Sequence, residues 1–596
     1  MDFYGFYTGQ VFDACQYLGA HPGSSGEVFF RTFAPNAAHV SLLYHEKELP
    51  MTKTADGNFY EIMLTDTIPG TVYEYRIYRA DGRWTDHCDP YGFAMELRPA
   101  HRSLVSGRNS YTFHDEKWMQ TRTICQDRPL NIYEMHLGSW RRKGSGEWYR
   151  YSEIAEPLAE YLTESGYNYV EFLPVSEHPC DESWGYQNTG FFAPTARYGT
   201  PDELKQLIDK LHQHNIGVIL DFVPVHFALD AYALSNYDGT SLYEYPHSAV
   251  GISEWGSCNF MHSRGEVRSF LQSSANYWLE EFHFDGLRMD AISNMIYWQG
   301  DRKRGVNGNA VDFLKTMNRG LKERHPNCIL IAEDSTDFPG VTLSTDQGGL
   351  GFDYKWDLGW MHDTLEYFQL PPECRTEQYH KLTFSMMYFG NERYLLPLSH
   401  DEVVHGKATI AQKMYGPYAQ KFPQARAMYL YMAVHPGKKL NFMGNEIAQL
   451  REWDEKREQD WSLRTYPIHD SFYRFMSELN QIYLTHSALY ENDYKENGFT
   501  WLDCHQEKKQ IYALLRTSPK EKLAAIFNFG NRCQNDYVLP VRQVKKVTLL
   551  LHTDWEKYSG TVSENQACFQ IMKNEIVCNL APFSGMLLQL SSEAFP

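Results

Sequence analysis

Three textures follow one another along the chain. Near the start, short runs alternate apolar and polar positions between turns: VFFRTFAP, HVSLLYHE, NFYEIMLTD and TVYEYRIYRADG. A period of two predicts strands buried on one face, and four of them separated by turns predict a small β-sandwich over residues 1–115.

From Asn131 onward the period changes. Thr200 is placed to cap a helix, Pro201 fits its first position, and Glu203 completes a capping box. Leu204, Leu207, Ile208 and Leu211 then fall on one helical face. Asn215-Ile216-Gly217 ends that helix, and Val218-Ile219-Leu220 reads as a strand buried on both faces.

The unit recurs. Val267, Phe270, Leu271 and Trp278 precede FHFDGLRMD; Val311, Leu314, Met317 and Leu321 lead past Pro326 into CILIAED; ARAMYLYMAV leads through His435-Pro436-Gly437 into KLNFMGNE. Repeated helix-to-strand units predict an α/β class domain, a parallel (β/α)₈ TIM barrel over residues 116–485. An open doubly wound sheet would carry a glycine-rich phosphate turn after its first strand, and none is present. Past Leu484 short strands return (IYALLRTS, LAAIFNFG, VTLLLHTD, CFQIMKN, GMLLQLSS), predicting a C-terminal β-sandwich over residues 486–596.

Composition narrows the partners. A chain of 596 residues exceeds a single core. A net charge of -19 argues against a nucleic-acid partner, and Arg141-Arg142-Lys143 reads as a solvated loop. Eleven cysteines without a C-x-x-C pair fit neither a disulfide scaffold nor a zinc site, so reduced thiols in the cytoplasm are expected. The opening MDFYGFYTGQVFDAC has no basic and apolar leader pattern, and no apolar run is long enough to span a bilayer; no membrane association is expected. Aromatic residues make up 15% of the chain, which suits either a large aromatic core or surfaces that pack on sugar rings.

Four strands run from apolar residues straight into acids or histidines: GVILDFVPVH (Asp221, His226), FDGLRMD (Arg288, Asp290), ILIAED (Glu333) and YLLPLSHDE (His400, Asp401). Carboxyl ends of barrel strands share one mouth, so such groups converge. A carboxylate there is costly unless paired or used. Arg288 and Asp290 lie two apart on one strand and share a face, so the guanidinium can hold Asp290 ionised, which favours it as a nucleophile. Paired carboxyls without a phosphate loop or metal-ligand spacing point to a barrel glycosidase or transglycosidase.

These segments resemble the conserved regions of the α-amylase superfamily, and more narrowly the glycogen branching enzymes. NIYEMHLGSW, EFLPVSEHP, SWGYQNTGFFAPTARYGTPDELK, GLGFDYKWDLGWMHDTLEYF and KLTFSMMYFGNERYLLPLSHDEVVHGK carry the resemblance, with HPGKKLNFMGNEIAQLREW. The combination of SHDEVVHGK with FMGNE…REW is specific to branching enzymes. The resemblance implies transfer of α-1,4-glucan segments to 6-hydroxyls as α-1,6 branches. It implies Asp290 as nucleophile, Glu333 as general acid/base, and Asp401 as the third acid, gripping sugar hydroxyls. Asp221, His226, Arg288 and His400 would line the sugar site, with Tyr186 stacking beneath the sugar. Glucan is then both donor and acceptor, no cofactor or metal is needed, and a monomer is expected. The flanking sandwiches resemble a carbohydrate-binding-like module and the amylase C-terminal domain.

One segment departs from the family. DFVPVHF stands where a form close to DWVPGHF is expected, so Phe222 and Val225 alter the bulk beside Asp221 and His226. A hydrolase of the same superfamily and a non-catalytic glucan-binding barrel are the competing readings. The second is disfavoured because all three acids are present.

Overall fold

Strand Val72–Tyr78 buries Tyr73, Tyr75 and Ile77 and turns the residues between them outward, the alternation its sequence predicts. It belongs to a sheet ordered Lys47–Pro50, His39–Tyr44, Val72–Tyr78, Trp84–His87. A second antiparallel sheet orders Gly19–Pro22, Glu27–Phe33, Phe59–Thr65 and Thr52–Lys53. Phe30 of one meets Tyr73 of the other edge to face, at 5.0 Å between ring centroids. A short helix, Phe3–Thr8, precedes them, capped by the Asp2 side chain and ended by Gly9. The computed structural model describes residues 1–596 apart from 24–25, 66, 107–109, 125, 542–543, 573–574 and 592–596.

The middle of the chain closes a barrel of eight strands in sequence order. They are β1 (Asn131–Met135), β2 (Tyr169–Phe172), β3 (Gly217–Phe222), β4 (Gly286–Met289), β5 (Ile329–Ala332), β6 (Tyr354–Trp356), β7 (Tyr394–Leu398) and β8 (Lys438–Phe442). Every residue of β3, β4, β5 and β7 is buried, which is why these strands are mostly apolar, with Asp221 and Arg288 as charged exceptions.

The helix before β3 spans Pro201–Gln213 and has the full capping box between Thr200 and Glu203. Leu204, Leu207, Ile208 and Leu211 are all fully buried. Asn215 takes the left-handed conformation at φ 59° and turns the chain into β3. Val267, Phe270, Leu271 and Trp278 are buried on helix Gly265–Glu281. In helix Gly308–Arg324 the buried stripe runs through Ala310, Leu314, Met317 and Leu321, so Val311 sits at its edge, half-buried.

At the C-terminal end, a five-stranded sheet orders Phe499–Gln506, Ile511–Thr517, Lys522–Asn528, Ser584–Ser591 and Lys546–His552. Beside it is a three-stranded sheet of Gln534–Pro540, Glu575–Leu580 and Phe569–Met572. By packing, the chain divides into two units: residues 1–124, 136–159 and 171–353 form one, and 125–135, 160–170 and 354–596 form the other. Among the described residues, no helix is long and apolar enough to cross a membrane.

Candidate active site

In the first unit, strand register assembles the site. β3 and β4 pair in parallel with Asp221 opposite Arg288 and Phe222 opposite Met289. β4 and β5 pair with Arg288 opposite Ile331 and Met289 opposite Ala332. The next step along each strand brings Asp290 and Glu333 abreast. The Asp290 amide donates to the Phe222 carbonyl (3.0 Å) and the Glu333 amide to the Met289 carbonyl (3.1 Å).

Arg288 ties these carboxylates together. Its Nη1 donates to both oxygens of Asp221, each at 2.7 Å, and to Asp290 Oδ1 at 2.8 Å. Its Nη2 lies 3.5 Å from Glu333 Oε2. Burial alone would lower the guanidinium pKa, but Asp221, Tyr186, Asp290 and Glu333 outweigh it and hold the group well above its ordinary value. The side chains of Arg288 and Asp221 are each 1% exposed, whereas Asp290 and Glu333 keep 14% and 18%. Two groups are sealed and two reach the opening.

Backbone strain fixes the third partner. Ala291, just after Asp290, is held at φ 45°, a region that a residue with a Cβ rarely adopts. Its amide donates to Glu333 Oε2 at 2.6 Å. The turn that delivers one member of the pair also orients the other.

Tyr186 comes from the tight turn Trp184-Gly185-Tyr186. Gly185 sits at φ 94°, and a Cβ there would lie 2.3 Å from the Pro174 carbonyl oxygen, so only glycine fits. The Tyr186 hydroxyl donates to Asp221 Oδ2 at 2.5 Å. His226, on the short strand His226–Phe227, is buried, and its ring lies 5.1 Å from that of the half-exposed Trp255. Burial pushes its pKa down to about 4, so the imidazole is neutral. Its Nδ1 has no hydrogen-bond partner among the described residues. Phe222 and Val225, the departures from the family form, are both buried.

In the second unit, His400 and Asp401 follow β7. Glu134 of β1 grips His400 twice, accepting from its amide at 2.8 Å and meeting Nδ1 at 2.6 Å. Asp401 is 52% exposed, with one oxygen 3.5 Å from His400 Nε2. The structure thus gathers Tyr186, Asp221, Arg288, Asp290 and Glu333 into one bonded cluster. It places His226 beside Trp255, and pairs His400 with Glu134 next to Asp401. Glu134 was not singled out from the sequence, although an acid inside the wholly buried strand NIYEM is a signal that could have found it.

The chain is similar to known proteins along most of its length. Residues 17–92 match the family model "Carbohydrate-binding module 48 (Isoamylase N-terminal domain)". Residues 145–241 match "Alpha amylase, catalytic domain" and residues 501–591 match "Alpha amylase, C-terminal all-beta domain". A 1,4-alpha-glucan branching enzyme GlgB from Fusobacterium nucleatum subsp. nucleatum is 40% identical, covering 96% of this chain and 95% of that protein. The protein of the same name from Bacillus subtilis is 40% identical, covering 95% of this chain and 92% of its own length. Among solved structures, a pullulanase from Anoxybacillus sp. LM18-11, complexed with maltotetraose, superposes with a TM-score of 0.74 at 16% identity. The match covers 99% of this chain and 90% of that one, and shows a shared fold.

Proposed function

The chain belongs to the GlgB family of 1,4-alpha-glucan branching enzymes, and from that premise we propose which of its side chains perform the transfer. The enzyme cleaves α-1,4 linkages and rejoins the released segment to a 6-hydroxyl as an α-1,6 branch. Asp290 is the nucleophile, Glu333 the general acid and base, and Asp401 the third acid, which grips sugar hydroxyls. Glu333 protonates the glycosidic oxygen while Asp290 attacks the anomeric carbon; the C–O bond breaks and one chain leaves as its 4-hydroxyl. Glu333, now a carboxylate, takes the proton of an acceptor 6-hydroxyl, whose oxygen displaces Asp290. Two inversions give net retention. The glycosyl ester conserves the energy of the old bond, so neither a nucleotide sugar nor a cofactor enters the cycle.

The observation that carries this reading is Arg288 Nη1, bonded at once to Asp221 and Asp290. A fixed cation beside Asp290 favours the ionised form that attack requires. The strained Ala291 amide on Glu333 supports an oriented acid. Tyr186, Asp221, Arg288, His226 and His400 line the sugar site; the neutral His226 is suited to accept from a sugar hydroxyl.

Glucan serves as donor and acceptor. The domain limits 1–115, 116–485 and 486–596 suit the positions of the sheets and barrel. A monomer located in the cytoplasm, with no nucleic-acid partner, completes the proposal; free thiols at all ten described cysteines favour that compartment.

Incubation with amylose tests the reading. New α-1,6 signals by proton NMR with nearly constant reducing ends are expected. Rising reducing ends without α-1,6 signal would leave a hydrolase.

A further inference from the structure

The two phrases whose combination marks branching enzymes, SHDEVVHGK and FMGNE…REW, are bonded to each other. Glu452 accepts from the Gly406 amide at Oε2 (3.0 Å) and from the Ala408 amide at Oε1 (2.7 Å). The neighbouring Trp453 amide donates to the Val403 carbonyl at 3.0 Å. Lys413, buried, donates through Nζ to the carbonyls of Glu402 (2.5 Å), Lys407 (2.7 Å) and Ala408 (2.8 Å). An anion holds the loop's N–H groups and a cation holds its carbonyls.

The loop needs holding. His405, Gly406 and Ala408 stand at φ 58°, 79° and 64°, left-handed positions that the two residues with Cβ atoms disfavour. Such a backbone persists only where bonds around it over-determine it. The loop continues directly from Asp401, which follows the carboxyl end of β7, and it exposes His405 and Lys407. Loops in that position form the working face of a barrel.

Resting on the branching reading, we propose that Glu452 is a positioning residue for the acceptor glucan. By gripping the Gly406 and Ala408 amides it fixes loop 402–408 in the shape that orients an incoming 6-hydroxyl. Cleavage of the donor is common to hydrolases and transferases on this barrel; what separates them is the hydroxyl that opens the glycosyl-enzyme. Water is small and abundant and can reach the attack position in many poses, whereas a glucan chain must be held with its 6-hydroxyl in line, so a fixed acceptor surface favours transfer over hydrolysis. Cleavage itself draws on Asp290 and Glu333, which Arg288 and the Ala291 amide hold.

The test compares the full chain with Glu452→Ala and Glu452→Gln. Gln keeps one carbonyl acceptor and turns an amide donor toward the second N–H, so it should loosen the loop less. Fluoride release from α-maltotriosyl fluoride reads the donor step. On amylose, reducing ends formed per α-1,6 linkage read the fate of the intermediate. Expected for Glu452→Ala is fluoride release within about threefold of the parent and a ratio raised about tenfold, with Glu452→Gln between the two. An unchanged ratio, with both rates falling together in folded protein, overturns the inference. Should Glu452→Ala fail to fold by thermal melting, Glu452→Gln carries the test with the same two outcomes. A parent chain that forms no α-1,6 linkages would instead overturn the branching reading, a failure distinct from an unchanged ratio in the variants.

Discussion

At the ends of β3, β4 and β5, one buried cation holds the side chains of the acids. After β7, a carboxylate and a buried lysine hold the backbone itself. The first arrangement follows from strand register: once Asp221 lies opposite Arg288, the positions of Asp290 and Glu333 are fixed by the same ladder. The second is built from a loop with left-handed residues, tied by Glu452 and Lys413. Strand ends leave little freedom to change one group without moving all. A clamped loop can be reshaped while the ladder stays intact. If the proposed roles hold, reaction chemistry rests on the strand ladder and acceptor choice on the clamped loop.

Substitutions should separate the two. Asp290→Asn should lower branching by on the order of 10⁴-fold or more with an unchanged melting temperature, measured on amylose. Arg288→Met should lower activity and also stability, by about 3–5 kcal/mol in urea unfolding, because Asp221 is left buried without its cation. The Glu452 variants should change the ratio of products, as described above, and leave urea stability close to that of the parent. A Glu452 variant that behaved like Arg288→Met would erase the distinction.

Six buried histidines should make the fold lose stability in acid. Burial lowers the pKa of His87, His226, His262 and His552 to about 4, and of His178 and His435 to about 3. Unfolded, these imidazoles titrate near the ordinary value of about 6.5. Between the two values the unfolded chain binds more protons, so stability should be undiminished by these groups above pH 6.5 and fall as pH drops toward 4. Denaturant midpoints across that range check it. The smallest effect is a control: Thr200→Ala removes the cap of the helix before β3 and should cost about 1 kcal/mol without altering the product ratio.

Much of this was legible in the sequence where a local rule was strong. The Thr200–Glu203 capping box needed only four residues to be read. The acids of the cluster stood out because each stands at the end of a largely apolar strand. The first helix was not legible, since FYGFYT is too short to show a period. β6 was hidden because Tyr354–Trp356 is a three-residue strand with a lysine at its centre. Glu452 and Lys413 were not singled out from the sequence: their partners are backbone groups of a separate loop, which no local pattern announces. Family phrases marked both segments as characteristic, and only the fold shows that they are one construction.

In the proposed mechanism Asp290, held by Arg288, carries the glycosyl group. Trapping decides it most directly: Glu333→Gln protein is incubated with a fluorinated maltosyl fluoride, digested and mapped by mass spectrometry. The expected result is a maltosyl-sized mass increment on the peptide containing Asp290, removed when acceptor glucan and an added anionic nucleophile are supplied. Label on the peptide containing Asp401 or Asp221 instead, with Asp290 unmodified, would contradict it.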